Sequence, residues 1–405
     1  MTLKKIEGIE MKIAYLIYNE RPNSGLMKSQ VLGLLYELAN SKDLQITLIA
    51  IWQPWVYWKY YKDIVKLKKE LSISNINLVS IPLGLPGRYF FQYKYLLSIN
   101  TYYIWAILKF FDLNKYDVVH GRGYFINYVA ALLKEKYKLI FDLRSLFPEE
   151  NIMVGNWKKE DSIYKKWKEI EKYTIEKAEY SVVVSLPMID SLANVNDSKK
   201  LKYIPIGFGV NKFSIDTNKR DDIRNELGIQ NKKVIVYAGS LQLNFWNDTR
   251  IYSEYFQNIN SLVDDIHFLI LTNSDHAQIS TFLETNNITN YSILSVSPKE
   301  VPNYLSAADI GIQVMYKMDD SDTRFGVKVI EYWASGLPVI TNSNVGGIST
   351  LVKNIDYLGL IADDKDDLKI MQDYLQLRDR GRIKKYAFEN FEFSKLALEY
   401  LKLYR

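Results

Sequence analysis

Lys328 and Glu331 stand three residues apart in the run DDSDTRFGVKVIEYWASGLPVITNSNVGG (residues 319–347), a spacing that places both on one face of a helix. A loop closing on Phe325-Gly326 leads into that helix, Gly336 sits where a C-terminal cap belongs, and Pro338 blocks any continuation. The helix is expected from about Val327 to Ser335, with Val327, Val329, Ile330, Trp333 and Ala334 turned toward a sheet. Free amides and the positive dipole end at Gly326, Val327 and Lys328 attract phosphate oxygens, and glycine permits close approach. Lys328 adds a full charge for a diphosphate, and Glu331 can accept hydrogen bonds from ribose hydroxyls. A solvated Lys–Glu pair is worth only about 0.2–0.5 kcal/mol. The surrounding loop, cap and Gly346-Gly347 tip the reading toward a nucleoside diphosphate.

Such a site needs a frame that brings loops together. From Met11 onward, apolar runs of strand length alternate with helix-period segments. IAYLIY, QITLIAIW, YDVVH, KLIFDLR and YSVVVS form one series. KKVIVYAGS, IHFLILTN, YSILSVS, DIGIQVM, LPVITN and LGLIAD form a second. This is the pattern of α/β domains with parallel sheets wrapped by helices. The expected division is a leader over 1–10, an N-terminal Rossmann-like domain over 11–210 and a C-terminal Rossmann-like domain over 211–388, to which the resemblance given below assigns the acceptor and the donor respectively. A final helix over 389–405 is expected to pack back on the first domain. Open α/β sheets bind ligands beyond the carboxyl ends of their strands, so two of them would face each other across a cleft.

Composition narrows the class. The 405 residues are 48% apolar, enough for two cores, and contain no cysteine, which excludes disulfides, thiolate zinc sites and a cysteine nucleophile. The net charge of +5 is modest and its lysines are dispersed, so no nucleic acid is expected. No signal peptide and no run of about 20 apolar residues is seen, so a cytoplasmic protein is expected, peripheral at most on the inner face of a membrane. Segment 51–69 mixes Trp and Tyr with lysine and segment 88–95 mixes Tyr and Phe with Arg and Lys, which suits either an anionic membrane surface or acceptor-groove or core aromatics.

The run around Glu331 resembles the donor-binding signature of the retaining glycosyltransferases of family 4, within the GT-B fold. Phe325, Gly326, Glu331, Ala334, Gly336, Pro338, Val339, Gly346 and Gly347 match that signature in order and spacing, and Lys328 resembles a bacterial polysaccharide-assembly branch. Two departures stand out. Thr323 occupies the place of the family's first acidic residue, and Ser240 and Phe245 stand where its Arg and Lys would fall. Diphosphate neutralisation then rests on Lys328, with Arg324 as a helper. The resemblance implies a nucleotide sugar as co-substrate, UDP-sugar first, no other cofactor, and a glycan or lipid-linked acceptor. Donor-binding candidates are Gly25, Gly239, Ser240, Thr323, Arg324, Phe325, Gly326, Val327, Lys328 and Glu331.

Further candidates lie at strand ends in the first series. HGRG (residues 120–123) closes YDVVH, and the resemblance makes His120 a catalytic contact to the donor sugar beside Lys328 and Glu331. A histidine packed under a loop is the other reading. Arg122, Asp142, Arg144, Glu149 and Glu150 rank behind these as cleft candidates; Asp142 and Arg144 could equally form a structural ion pair. His267 and His276 read as structural. Asp320-Ser321-Asp322 spells a short metal-binding motif of another architecture, too weak to predict an essential metal. A sugar-nucleotide 2-epimerase of the same fold and a non-catalytic binding protein remain alternatives. A nicotinamide dehydrogenase would need a Gly-x-Gly-x-x-Gly turn after the first strand, which NERPNSGL does not supply.

Overall fold

The computed structural model describes residues 10–193, 197–209, 213, 217–243, 246–319, 321–376 and 379–405. The leader up to residue 9, Phe245 and Asp320 lie outside the described residues. The chain divides into two compact units: Met1–Val184, Met188–Pro205 and Phe393–Arg405 make the first, and Ser185–Pro187 with Ile206–Glu392 the second.

The first unit holds β1 (Met11–Tyr18), β2 (Leu44–Trp52), β3 (Ile76–Pro82), β4 (Val118–Arg122), β5 (Lys138–Asp142), β6 (Tyr180–Val183) and β7 (Leu201–Tyr203). Their order across the sheet is β3-β2-β1-β4-β5-β6-β7, with parallel pairing throughout. The second holds β8 (Lys233–Ala238), β9 (Ile266–Leu271), β10 (Tyr291–Leu294), β11 (Ile310–Gln313), β12 (Val339–Thr341) and β13 (Gly359–Ile361). Their order is β10-β9-β8-β11-β12-β13, again all parallel. Both sheets are doubly wound, and both reverse winding direction beside their first strand: β1 against β4, and β8 against β11. Loops diverge at such a point and leave a crevice beyond the carboxyl ends of the strands.

The central strands are the apolar runs read from the sequence, as expected for strands covered on both faces. Two strands lack that signal. β3 (INLVSIP) mixes Asn77 and Ser80 into its run, and β7 is only three residues long. β4 continues through Gly121 to Arg122, two residues beyond the apolar run, because Gly121 and Arg122 pair with Phe141 and Asp142.

The final helix, Phe393–Tyr404, belongs to the first unit. Its Phe393, Leu396, Ala397, Tyr400, Leu403 and Tyr404 join the core cluster built on β1, β2 and the helical segment from Met27 to Ala39. Gly33 in that segment leaves room for the Phe393 ring, whose Cε2 would lie 2.3 Å from any Cβ there. Among the described residues no helix is long and apolar enough to cross a membrane. Tyr400 is 1% exposed in this cluster. Truncating it (Tyr400→Ala) is expected to cost about 3–5 kcal/mol, as for other fully buried aromatics, read as a fall in the urea midpoint of unfolding.

Candidate active site

At the β8/β11 reversal the second unit carries a cavity of about 310 Å³. Gly239 and Ser240 line it from the loop after β8, and Thr272 and Asn273 from the loop after β9. Val296, Pro298, Val301 and Pro302, which follow β10, form an apolar side. Lys328 and Glu331 close it from the helix Val327–Ala334.

That helix is fixed at both ends. Gly336 adopts φ +73°, its amide bonds to the Trp333 carbonyl at 2.9 Å, and the Leu337 amide reaches Tyr332 at 2.9 Å. This paired arrangement satisfies two otherwise orphaned carbonyls and needs glycine at the left-handed position. At the other end Gly326 caps the helix without a side-chain bond. The Val329 amide donates to the Gly326 carbonyl at 2.9 Å, while the Val327 and Lys328 amides at the helix start can face a ligand. Val329, Ile330, Tyr332, Trp333 and Ala334 are buried, whereas Val327 is only half-buried.

Tyr332 has a second role. Its ring lies over Gly311 of β11, where an added Cβ would come within 2.4 Å of Cδ2. Its hydroxyl accepts the Ala238 amide at 2.9 Å, at the end of β8. One side chain therefore ties the Lys328–Glu331 helix to both strands of the reversal. Across the cavity, the Tyr237 hydroxyl donates to the Ser240 carbonyl at 2.9 Å. The Leu241 amide donates to Ser274 Oγ at 2.9 Å, joining the loops after β8 and β9.

Lys328 Nζ lies 3.0 Å from Glu331 Oε2, with side-chain exposures of 39% and 22%. A partly solvated pair of this kind contributes a few tenths of a kcal/mol, about 0.2–0.5. Its importance to the fold is therefore small, and both groups stay available to a ligand.

Residues 323–327, the loop before the helix and its first position, are not among the described residues that line the cavity. Thr323 is buried, and its carbonyl accepts a hydrogen bond from Ser185 Oγ at 2.6 Å. The Arg324 guanidinium lies 4.9 Å from the centre of the Trp246 ring, and the half-buried Phe325 ring is 6.2 Å from Phe391. Gly346 and Gly347 receive this turn: added Cβ atoms would fall 1.9 Å from the Asp322 carbonyl oxygen and 2.6 Å from that of Arg324. The glycine pair is explained by backbone packing rather than by a ligand. Ser321 is buried and Asp322 exposed, and no group of three metal-ligating side chains is found among the described residues.

In the first unit, Gly25 is exposed in the loop after β1, with open space where a side chain would go. His120 differs from its expected place at a free strand end. It sits within β4, has no exposed surface, and packs between Tyr15 and Tyr400 with ring centroids 4.5 and 5.0 Å away. Its Nδ1 is 2.6 Å from the Tyr404 hydroxyl, and its Nε2 is 3.6 Å from Asp142 Oδ2. The physical reason is the two-residue extension of β4, which moves the strand's open end to Arg122. Asp142 pairs with Arg144 at 2.7 Å, which favours the structural ion-pair reading. Burial pushes the Asp142 carboxyl upward, but Arg144, His120 and Arg122 together hold it below its ordinary value. Arg122 Nη2 donates to Gln30 at 2.6 Å and its Nε lies 3.4 Å from Glu20. Glu149 pairs with Lys168 at 2.9 Å, and Glu150 follows it in the first turn of the helix Phe147–Met153.

Sequence reasoning reached Gly239, Ser240, Lys328 and Glu331 but missed the apolar side of the cavity. TNSDH and SVSPKEVP follow strands β9 and β10, and position relative to those strands was the one signal available for them.

Residues 232–379, nearly all of the second unit's sheet and this cavity, match the family described as glycosyl transferases group 1. This stretch of the second unit is similar to a group 1 glycosyltransferase domain. Solved structures extend the likeness of fold to the whole chain, which is of the GT-B type. Sucrose-phosphate synthase from Thermosynechococcus elongatus matches with a TM-score of 0.68 at 17% identity, over 98% of each chain. HepE of Anabaena, solved with UDP, matches with a TM-score of 0.69 at 13% identity, over 97% of this chain and 99% of that one. UDP-GlcNAc 2-epimerase from Neisseria meningitidis also matches, with a TM-score of 0.57 at 14% identity over 97% and 99%. The fold thus does not separate transferase from epimerase, whereas the family similarity of residues 232–379 is to glycosyl transferases. Among curated proteins there is no sequence match.

Two measurements probe this arrangement. Tyr332→Phe strands the buried Ala238 amide and is expected to cost about 1–3 kcal/mol, read from the urea midpoint. Burial lowers the basicity of His120, and burial with help from Lys232 brings His267 down to about 4. Both are neutral in the folded protein, while the unfolded chain takes up their protons below about 6.5. Stability is therefore expected to fall as pH drops from about 6.5 toward 4, with a shallower slope in His267→Gln.

Proposed function

We propose that the cavity in the second unit binds a nucleoside-diphosphate sugar. The protein would then move its hexosyl group, with retention of anomeric configuration, to a hydroxyl of a glycan, lipid-linked or cell-surface polysaccharide acceptor. The observation that carries this reading is the joint placement of Lys328 and Glu331 at a helix N-terminus, on one cavity with Gly239 and Ser240.

The first-turn amides and Lys328 take the diphosphate, and Glu331 takes the ribose hydroxyls. Val296, Pro298, Val301 and Pro302 offer apolar contact to a flat base. UDP is the first choice, since HepE, of the same fold, has been solved with UDP and with UDP-glucose. In the reaction the bond from the anomeric carbon to the leaving phosphate oxygen breaks as the bond to the acceptor oxygen forms. The acceptor's proton passes to the departing diphosphate. Negative charge builds on that diphosphate, where Lys328 and the helix dipole lower the barrier.

His120, enclosed beneath Tyr400 and Tyr404, supports the end of β4 rather than touching the sugar. The setting is the cytosolic face of a bacterial envelope, with an anionic membrane surface as a partner.

Lys328→Ala is expected to lower kcat/KM by about 10²–10³, the size of losing one preorganised charge-stabilising group, and Glu331→Ala to lower it through lost ribose hydrogen bonds. Near-normal turnover by both variants with the true substrates would refute the assignment. Incubating the donor alone separates the epimerase reading, since an epimer formed without acceptor would replace transfer as the activity.

A further inference from the structure

The helix Lys94–Phe110 of the first unit has an unusual outer face. Its solvent-facing positions are Lys94, Tyr95, Ser98, Ile99, Tyr102, Tyr103, Ala106, Lys109 and Phe110. Tyr95 is 65% exposed, Tyr102 63% and Phe110 83%, whereas its inner face (Leu97, Asn100, Ile104, Leu108) is fully packed. The helix contains no acidic residue, and a lysine stands near each end of the outward stripe. Lys109 folds its ammonium over the Trp105 ring at 4.7 Å.

Beside this stripe lies a groove of about 460 Å³ against the helices Tyr124–Leu133 and Ser162–Lys177. Leu97, Trp105, Tyr128, Leu132 and Ile170 give it an apolar wall. Tyr102 belongs to both the groove and the exposed stripe. At its edge, Lys166 pairs with the well-exposed Glu169 at 3.1 Å, a bond that water weakens and a phosphate can replace. Soluble surfaces do not normally leave a contiguous row of large aromatics in water. Tyr and Trp with flanking lysines, by contrast, are the side chains that settle at a lipid headgroup boundary.

We infer that this groove and the outer face of helix Lys94–Phe110 form a lipid-binding site. It takes one hydrocarbon chain of an anionic phospholipid and so docks the first unit on a bilayer surface. The inference rests on the membrane setting proposed above and assigns it to this helix rather than to the aromatic segment Trp55–Trp58–Tyr61, none of whose residues lines the groove. Lys94, Lys109 and Lys166 meet the phosphates while Tyr102 and Trp105 border the chain.

The test uses the full chain with vesicles of phosphatidylcholine alone and of phosphatidylcholine mixed with phosphatidylglycerol. Flotation with the mixed vesicles is expected, and brominated acyl chains should quench a tryptophan signal that disappears in Trp105→Phe. Tyr102→Asp and Leu132→Asp, both at solvent-exposed positions, should weaken vesicle binding about tenfold or more, with thermal stability and vesicle-free donor turnover unchanged. Trp58→Asp should bind as the parent does. Unchanged binding by Tyr102→Asp and Leu132→Asp, quenching that follows Trp58, or equal binding to neutral vesicles would each overturn the site. Donor turnover measured without vesicles reports separately on the transferase reading, so the two can fail independently.

Discussion

The candidate site depends on how tightly one helix can sit against the reversal of a parallel sheet. Tyr332 sets that distance: its ring needs the missing side chain of Gly311, and its hydroxyl takes the Ala238 amide. A bulkier residue in β11 would lift the helix away from the strand ends. Lys328 and Glu331 would then no longer reach the rim shared with Gly239. Neither glycine nor tyrosine is chemically reactive at these positions, yet their fit determines whether the charged pair faces a cavity or plain solvent.

Charge is sparse in the cavity. Lys328 is the only basic residue among the described residues that line it, so a diphosphate would be held by one ammonium and by backbone amides. Backbone donors are fixed in place and cannot follow a charge as a long side chain does. They favour a ligand whose oxygens already point at the helix start. The positions where the family places an additional Arg and Lys carry Ser240 and Phe245, and Ser240 is tied down through its carbonyl by Tyr237.

Much of this was legible in the chain. Apolar runs marked eleven strands, because a strand covered on both faces must be apolar along its length. β3 and β7 were hidden, one by polar residues at a sheet position near the edge and one by brevity. The helix from Val327 and its glycine stop were readable, since capping is a local matter. The burial of His120 was not, because it depends on Tyr400 and Tyr404, which are nearly three hundred residues away in sequence. Thr323 and Gly346-Gly347 likewise owe their surroundings to a turn of the backbone that no residue type announces.

The order in which the chain is made also matters. Phe393–Arg405 contributes to the first unit's core, yet a ribosome adds it after every residue of the second unit. Domains commonly fold as they emerge. Here the later unit has its complete chain first, while the earlier one waits with an open seam along β1 and the helix at Gly33. Nascent protein stalled short of Phe393 would present that apolar seam to chaperones, and release of the last helix would close it.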